Sequence, residues 1–283
     1  MSSDPRLAEL RALLVSQRPY LILAPPRSGS TALARALLGH AEIGPYIHEP
    51  WDRYAHKGGG VESILERLGE HRDRTGILIK EMTFQLGDGP VGRVLLETAR
   101  PPFVVLIRDP RRTLESRIRR VLRDLVREDR LNADDRARVD TAIEASDFST
   151  LDDVLTPEVF PERFTGWADL DKQIASCRQE LDFVVVRAET FRADPRSVLE
   201  PLCQRWELEV EPGMLDWGSS SSIDVGALPE QAAWYRQVLA STRVRPEDAP
   251  IRSREAFPVR FREPLDHAVV LYENLSKEAI GGA

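Results

Sequence analysis

The sequence predicts an α/β protein: a three-layer α/β/α arrangement around a central, mainly parallel sheet of about five strands, with a phosphate site of P-loop type. Three observations point there. Short continuous apolar runs, above all Leu21-Ile22-Leu23 and Phe103-Val104-Val105-Leu106-Ile107, suit strands buried on both faces of a parallel sheet. Amphipathic stretches of helical period separate them, and that alternation demands parallel pairing with right-handed crossovers. The first run also breaks into a small-residue loop, Pro25-Pro26-Arg27-Ser28-Gly29-Ser30-Thr31, that opens a helix.

The elements follow in order. Asp4 caps a helix over 6–16 with Leu7, Leu10, Leu13 and Leu14 on one face, which hands over to a strand at 20–24. The loop leads into a helix over 31–38, then a short strand within 43–48. After Lys57-Gly58-Gly59-Gly60 come a helix over 61–70, a buried strand over 76–80 that ends in Lys80, and a helix over 91–99. The strand at 103–107 meets Arg108-Asp109-Pro110 and a long helical stretch to Arg130. Residues 131–161, rich in Asp and without strand pattern, read as an inserted lid or acceptor-binding segment. A helix over 164–181 carries Trp167, Leu170, Ile174 and Cys177 on one side as core, and helices over 231–239 and 265–275 finish the chain.

Composition bounds the partners. The 283 residues suit one domain, 1–283, and the net charge of -7 argues against general affinity for nucleic acid or anionic membrane. The arginine-rich stretch 111–130 interleaves Glu115, Asp124, Glu128 and Asp129 at helical spacing, so a salt-bridged, solvated face is expected rather than a nucleic-acid stripe. No apolar run approaches about twenty residues and the first residues lack a signal pattern, so a cytoplasmic protein without membrane insertion is expected. Cys177 and Cys203 are isolated within helical patterns and read as small buried apolar side chains. Lysine is scarce, with only Lys57, Lys80, Lys172 and Lys277, and this makes Lys80 at a strand end conspicuous.

Backbone N–H groups at a helix N-terminus lack intrahelical partners and share the helix dipole, so the Arg27–Thr31 turn is an anion cradle in which Gly29 permits close approach and Ser30 and Thr31 offer hydroxyls. Arg108 at a strand's carboxyl end and Ser116 two turns into the next helix can converge on one anion. The loop departs from G-x-x-x-x-G-K-[ST]: Ala24 stands at the first glycine, Ser30 at the lysine, and the charge has moved to Arg27.

In this the loop resembles the 5′-phosphosulfate loop of the sulfotransferases, which bind 3′-phosphoadenosine 5′-phosphosulfate. Arg108 and Ser116 resemble that family's 3′-phosphate-binding pair, and Phe183-Val184-Val185-Val186-Arg187-Ala188-Glu189-Thr190-Phe191 with Asp194-Pro195 resembles its later strand-plus-acidic segment. The resemblance spans about residues 20–205. It implies transfer of a sulfuryl group to a hydroxyl or amine of a small-molecule acceptor, with adenosine 3′,5′-bisphosphate as product and no metal. Arg27 and the N–H groups of Ser28, Gly29, Ser30 and Thr31 would hold the 5′-phosphate, Lys80 would reach the sulfuryl or bridging oxygen, and Arg108 and Ser116 would select the 3′-phosphate. Glu49 is the first choice of general base, His48 the second and Glu81 the third, since Met82 stands where the family's cytosolic branch has a histidine. The serine run 219–222 is a counterpart of the family's late nucleotide-closing loop, or a linker. Asp109, before a proline and among arginines, suits orientation of Arg108.

Two rivals share the scaffold: an ATP and Mg²⁺-dependent phosphotransferase with Asp109 on the metal side, and a nucleotide-binding regulator without chemistry. The acidic balance disfavours a polyanionic acceptor unless a local arginine patch overturns it, and homo-oligomerisation stays open.

Overall fold

Strands run where the apolar runs predict them. The computed structural model describes residues 4–52, 60–87, 89–218, 223, 235, 238–247 and 249–281. Within these, β1 (Tyr20–Ala24), β2 (Tyr46–His48), β3 (Leu78–Met82), β4 (Phe103–Ile107) and β5 (Phe183–Arg187) form one sheet in the order β2-β3-β1-β4-β5, each neighbouring pair parallel. The helices are α1 (Pro5–Gln17), α2 (Ser30–Leu37), α3 (Val61–Gly69), α4 (Thr83–Leu86), α5 (Pro90–Thr98), α6 (Pro110–Arg127) and α7 (Ala133–Ala145). They continue with α8 (Trp167–Cys177), α9 (Ala188–Ala193), α10 (Pro195–Arg205), α11 (Pro212–Leu215) and α12 (Val259–Ser276).

Successive strand side chains point to opposite faces, so each face builds its own core. Leu21, Leu23, Ile79 and Val105 turn toward α1, α3, α5 and α8, while Ile22, Leu78, Val104 and Leu106 turn toward α2 and α10. This parity also sorts the polar residues of β3. Lys80 shares the α2 side with Leu78, whereas Glu81 shares the other side with Ile79.

Asp4 accepts from the Arg6 N–H at 2.9 Å and caps α1, with Leu10, Leu13 and Leu14 buried on the predicted face. Trp167, Leu170, Ile174 and Cys177 are core residues, and both cysteines are buried and free. Residues 131–161 pack Val139, Phe148, Leu155 and Phe160 with α6 and α12 in a third apolar cluster. Among the described residues no helix is long and apolar enough to cross a membrane.

Four local expectations are corrected. The second strand starts at Tyr46 rather than Ile43, after Pro45, which has no N–H to pair. The third strand runs on to Met82, so Lys80 lies within it; main-chain pairing of Glu81 and Met82 with Leu23 and Ala24 carries the ladder past the end of the apolar run. The helix expected over 164–181 breaks at Gly166, φ 73°, into a single turn (Glu162–Thr165) and α8. A Cβ at Gly166 would lie 2.5 Å from Thr83 Oγ1 and 2.7 Å from Pro26 Cδ, so this glycine lets α8 abut the loop after β1. Asp109 does not orient Arg108: its carboxylate caps α6 at the Arg111 N–H and pairs with the Arg111 guanidinium at 2.6 Å. The helix expected over 231–239 lies mostly, and the serine run 219–222 wholly, outside the described residues.

Candidate active site

The Arg27–Thr31 turn joins β1 to α2 with two residues in the left-handed region, Arg27 at φ 68° and Gly29 at φ 85°. Glycine takes that conformation without cost, and it also leaves room for Arg192, whose guanidinium would sit 3.4 Å from a Cβ there. Arginine does not, so the Arg27 backbone is held from outside. The Arg108 guanidinium donates to the Arg27 carbonyl at 2.7 Å, and Arg27 Nε donates to Ser116 Oγ at 3.0 Å. Arg108 and Ser116 thus meet on Arg27, one on its backbone and one on its side chain. Ser28 turns its hydroxyl into the interior, where it has no partner among the described residues, while Gly29, Ser30 and Thr31 line the cavity.

That cavity, about 410 Å³, opens at the carboxyl ends of β1, β3 and β4. Among the described residues, seven arginines and one lysine line it against two carboxylates, Glu49 and Asp52, in a chain whose net charge is -7. The basic surface is concentrated where an anion would sit.

At one end Arg108 forms a two-pronged pair with Glu247, which also lies 3.6 Å from Arg112, and Arg192 stands beside them on α9. At the other end Lys80 Nζ is ion-paired to Glu49, whose second oxygen accepts from Gln85 Nε2 at 3.0 Å. Glu49 itself takes φ 44°, a backbone strain held by its N–H to Lys80 O hydrogen bond of 2.8 Å. Burial alone would raise the Glu49 carboxyl, but the Lys80 charge and the His48 hydrogen bond outweigh it and hold it well below its usual value. Glu49 is therefore ionised throughout the ordinary pH range.

His48 does not line the cavity. Its ring is clamped between the Tyr46 hydroxyl at 2.6 Å and the Tyr235 hydroxyl at 2.9 Å, with Glu49 at 3.2 Å, and burial followed by Lys80 lowers its pKa. Glu81, fully buried on the opposite face of β3, accepts from the N–H groups of Trp51 and Met82, each at 2.8 Å. Burial and then the Glu49 charge push it up to about 8. Of the three candidate bases only Glu49 reaches the cavity.

Sequence reasoning missed Arg117, Arg120, Arg192 and Tyr235, all of which line the cavity. The expectation of a solvated arginine face holds for exposed Arg127; Arg119 pairs with Glu115 at 2.9 Å but packs on Phe148 and donates to Ile143 O, and Arg117 and Arg120 turn inward. A signal existed for Arg117: Thr113, Leu114, Arg120 and Val121 stand three and four positions away, so it has no acidic neighbour at helical spacing. Nothing from residues 131–161 lines the cavity.

Fold and site together define an α/β protein whose arginine-bearing strand–loop–helix turn lines a basic cavity. No family model matches the chain, and no curated protein matches it. Among solved structures it is similar to a sulfotransferase domain from the curacin biosynthetic pathway, at 18% identity over 87% of this chain and 96% of that one, TM-score 0.47. It is also similar to a sulfotransferase from Alicyclobacillus acidocaldarius, at 15% identity over 79% of this chain and 92% of that one, TM-score 0.43. A third is the sulfotransferase domain of the Synechococcus PCC 7002 olefin synthase, at 16% identity over 88% and 94%, TM-score 0.38. At such identities and scores these likenesses decide neither activity nor substrate.

Proposed function

We propose that the chain transfers a sulfuryl group from 3′-phosphoadenosine 5′-phosphosulfate to a hydroxyl of a small-molecule acceptor. The observation that carries this reading is the convergence, in one cavity, of Arg108 and Arg192 toward one end and Lys80 with Glu49 toward the other, with the Arg27 loop between them. A donor with two separate anionic ends needs such a divided site.

In this reading the loop N–H groups and Arg27 take the 5′-phosphate, and Arg108 with Arg192 takes the 3′-phosphate in place of Glu247. Ser116 acts by fixing the Arg27 side chain. The acceptor oxygen attacks sulfur in line as the bond between sulfur and the bridging oxygen breaks; its electron pair goes to the 5′-phosphate, whose growing charge Arg27 stabilises. Glu49 takes the acceptor proton. It is a poor base while Lys80 sits on it, so its strength is coupled to the donor: Lys80 drawn to the sulfuryl or bridging oxygen releases Glu49, whose pKa then rises toward its usual value. His48 orients Glu49 from behind the cavity, and Tyr235 in turn holds the His48 ring.

The phosphotransferase rival needs Asp109 free, and both its oxygens are engaged by Arg111. Calorimetry separates the two donors: adenosine 3′,5′-bisphosphate is expected to bind without metal and at least about tenfold tighter than ATP with Mg²⁺. The reverse order would contradict the reading.

A further inference from the structure

Tyr235 lines the cavity, yet sulfuryl transfer as described asks nothing of its hydroxyl except to hold the His48 ring. The bonding around that ring gives the hydroxyl a direction. Burial, and the Lys80 charge after it, keep the imidazole neutral at neutral pH, so it carries one N–H. A lone pair on Nε2 would face the ionised Glu49 carboxylate 3.2 Å away. The proton is therefore assigned to Nε2, and Nδ1 accepts from the Tyr46 hydroxyl at 2.6 Å. The Nε2–H meets the Tyr235 oxygen at 2.9 Å, with the two rings edge to face, 5.2 Å between centroids. Tyr235 is the acceptor in this bond, and its own hydrogen has no taker among the described residues. A buried phenol ordinarily finds a partner for its O–H.

The surroundings show where that hydrogen can go. Glu49, Arg120 and Arg27 are the charged groups that act most strongly on Tyr235, and Tyr235 is the ionisable group that acts most strongly on Arg27. The hydroxyl thus lies between the residue that takes the acceptor proton and the residue that holds the 5′-phosphate. What passes between those two places is the sulfuryl group. Burial, and the Glu49 charge after it, raise the Tyr235 pKa above its ordinary value, so the phenol keeps its proton and acts only as a donor.

We propose, building on the sulfuryl-transfer reading, that Tyr235 is a further catalytic residue: its hydroxyl donates to a non-bridging oxygen of the sulfuryl group and holds sulfur in line between the 5′-phosphate and the acceptor oxygen. Tyr235 gives up no proton in the step. Glu49 takes the acceptor proton, and the electron pair of the breaking bond goes to the phosphate, as above. His48 and Tyr46 are positioning residues, which fix the way the phenol O–H points.

The test compares two nucleotides that differ only in the sulfuryl group. Calorimetry without acceptor measures 3′-phosphoadenosine 5′-phosphosulfate and adenosine 3′,5′-bisphosphate on wild type and on Tyr235→Phe, which keeps the ring against His48 and removes the donor. The phosphosulfate is expected to lose about tenfold or more in affinity, as loss of a hydrogen bond to a charged group requires, and the bisphosphate less than about twofold. Tyr235→Met, whose adaptable side chain fills the same space without a donor, should give the same pattern and guards against a folding defect in the first variant. An unchanged ratio of the two affinities would overturn the assignment. So would a parallel loss of both, which would place the hydroxyl on the 5′-phosphate or in the fold alone. Failure of wild type to bind either nucleotide would overturn the sulfuryl-transfer reading itself, a result distinct from an unchanged ratio in a protein that binds both.

Discussion

The two ends of the cavity hold similar charges under different control. At the Arg108 end the counter-ion comes from 139 residues away, on the irregular segment around Glu247, and the pair retains some solvent exposure at 10% and 19%. At the Lys80 end the counter-ion Glu49 follows β2 directly, and Lys80 is wholly shut off from solvent. A partly exposed pair on a surface segment yields readily to a ligand, whereas a buried pair cannot part unless something replaces each partner. The Arg108 end is therefore suited to ready exchange of its counter-ion, and the Lys80 end to a change that needs a replacement for each partner.

Breaking the buried pair should have the largest effect. Lys80→Met leaves the Glu49 carboxylate without its cation in a closed site and is expected to cost about 3–5 kcal/mol in urea unfolding. Lys80→Met/Glu49→Gln should recover most of that loss while remaining inactive. If the double variant is as unstable as the single one, packing rather than charge accounts for Lys80. Removing the half-buried counter-ion of Arg108 should act in the opposite sense. Glu247→Gln is expected to tighten adenosine 3′,5′-bisphosphate by about 3- to 10-fold in calorimetry, because the carboxylate occupies the Arg108 fork that the 3′-phosphate needs. Weaker binding would show that Glu247 serves to aim Arg108.

A last effect, read as a slope, concerns Glu81, the neighbour of Lys80 on the opposite face. Its carboxyl is held at about 8 against 4.5 when free, so the folded state keeps a proton that the unfolded chain releases. The stability this represents is complete below about pH 4.5 and is lost progressively as pH rises through about 8. Glu81→Gln should flatten the decline of Tm between those values. The slope is the readout, because glutamine gives up one of the two acceptor oxygens that Trp51 and Met82 use. An unchanged slope would locate the titration elsewhere.

What the sequence made legible follows from range. β1, β4, the cap of α1 and the loop turn are local, carried by apolar runs, Asp4 and Gly29, and they are where the pattern places them, whereas β2 and β3 are shifted by two or three residues. Lys80 stood out because lysine is scarce and this one ends an apolar run, although β3 extends two residues beyond it. Glu49 and Glu81 were not separable without the parity of β3, which puts Lys80 in the cavity and Glu81 behind the sheet. Arg192, Tyr235 and Glu247 reach the site from later segments by tertiary packing, which no periodicity records. Arg117 alone left a local trace, the absence of a carboxylate at helical spacing.

The account stands on Arg108 reading a 3′-phosphate at one end of a nucleotide whose 5′-phosphate lies on the Arg27 loop. Calorimetry of adenosine 3′,5′-bisphosphate against adenosine 5′-monophosphate, in wild type and in Arg108→Ala, addresses it directly. Wild type should favour the bisphosphate by about 10- to 100-fold, as charge-assisted hydrogen bonds of about 1.5–3 kcal/mol require, and Arg108→Ala should bind the two nearly alike. Equal weakening of both ligands by the substitution, or no preference in wild type, would contradict it.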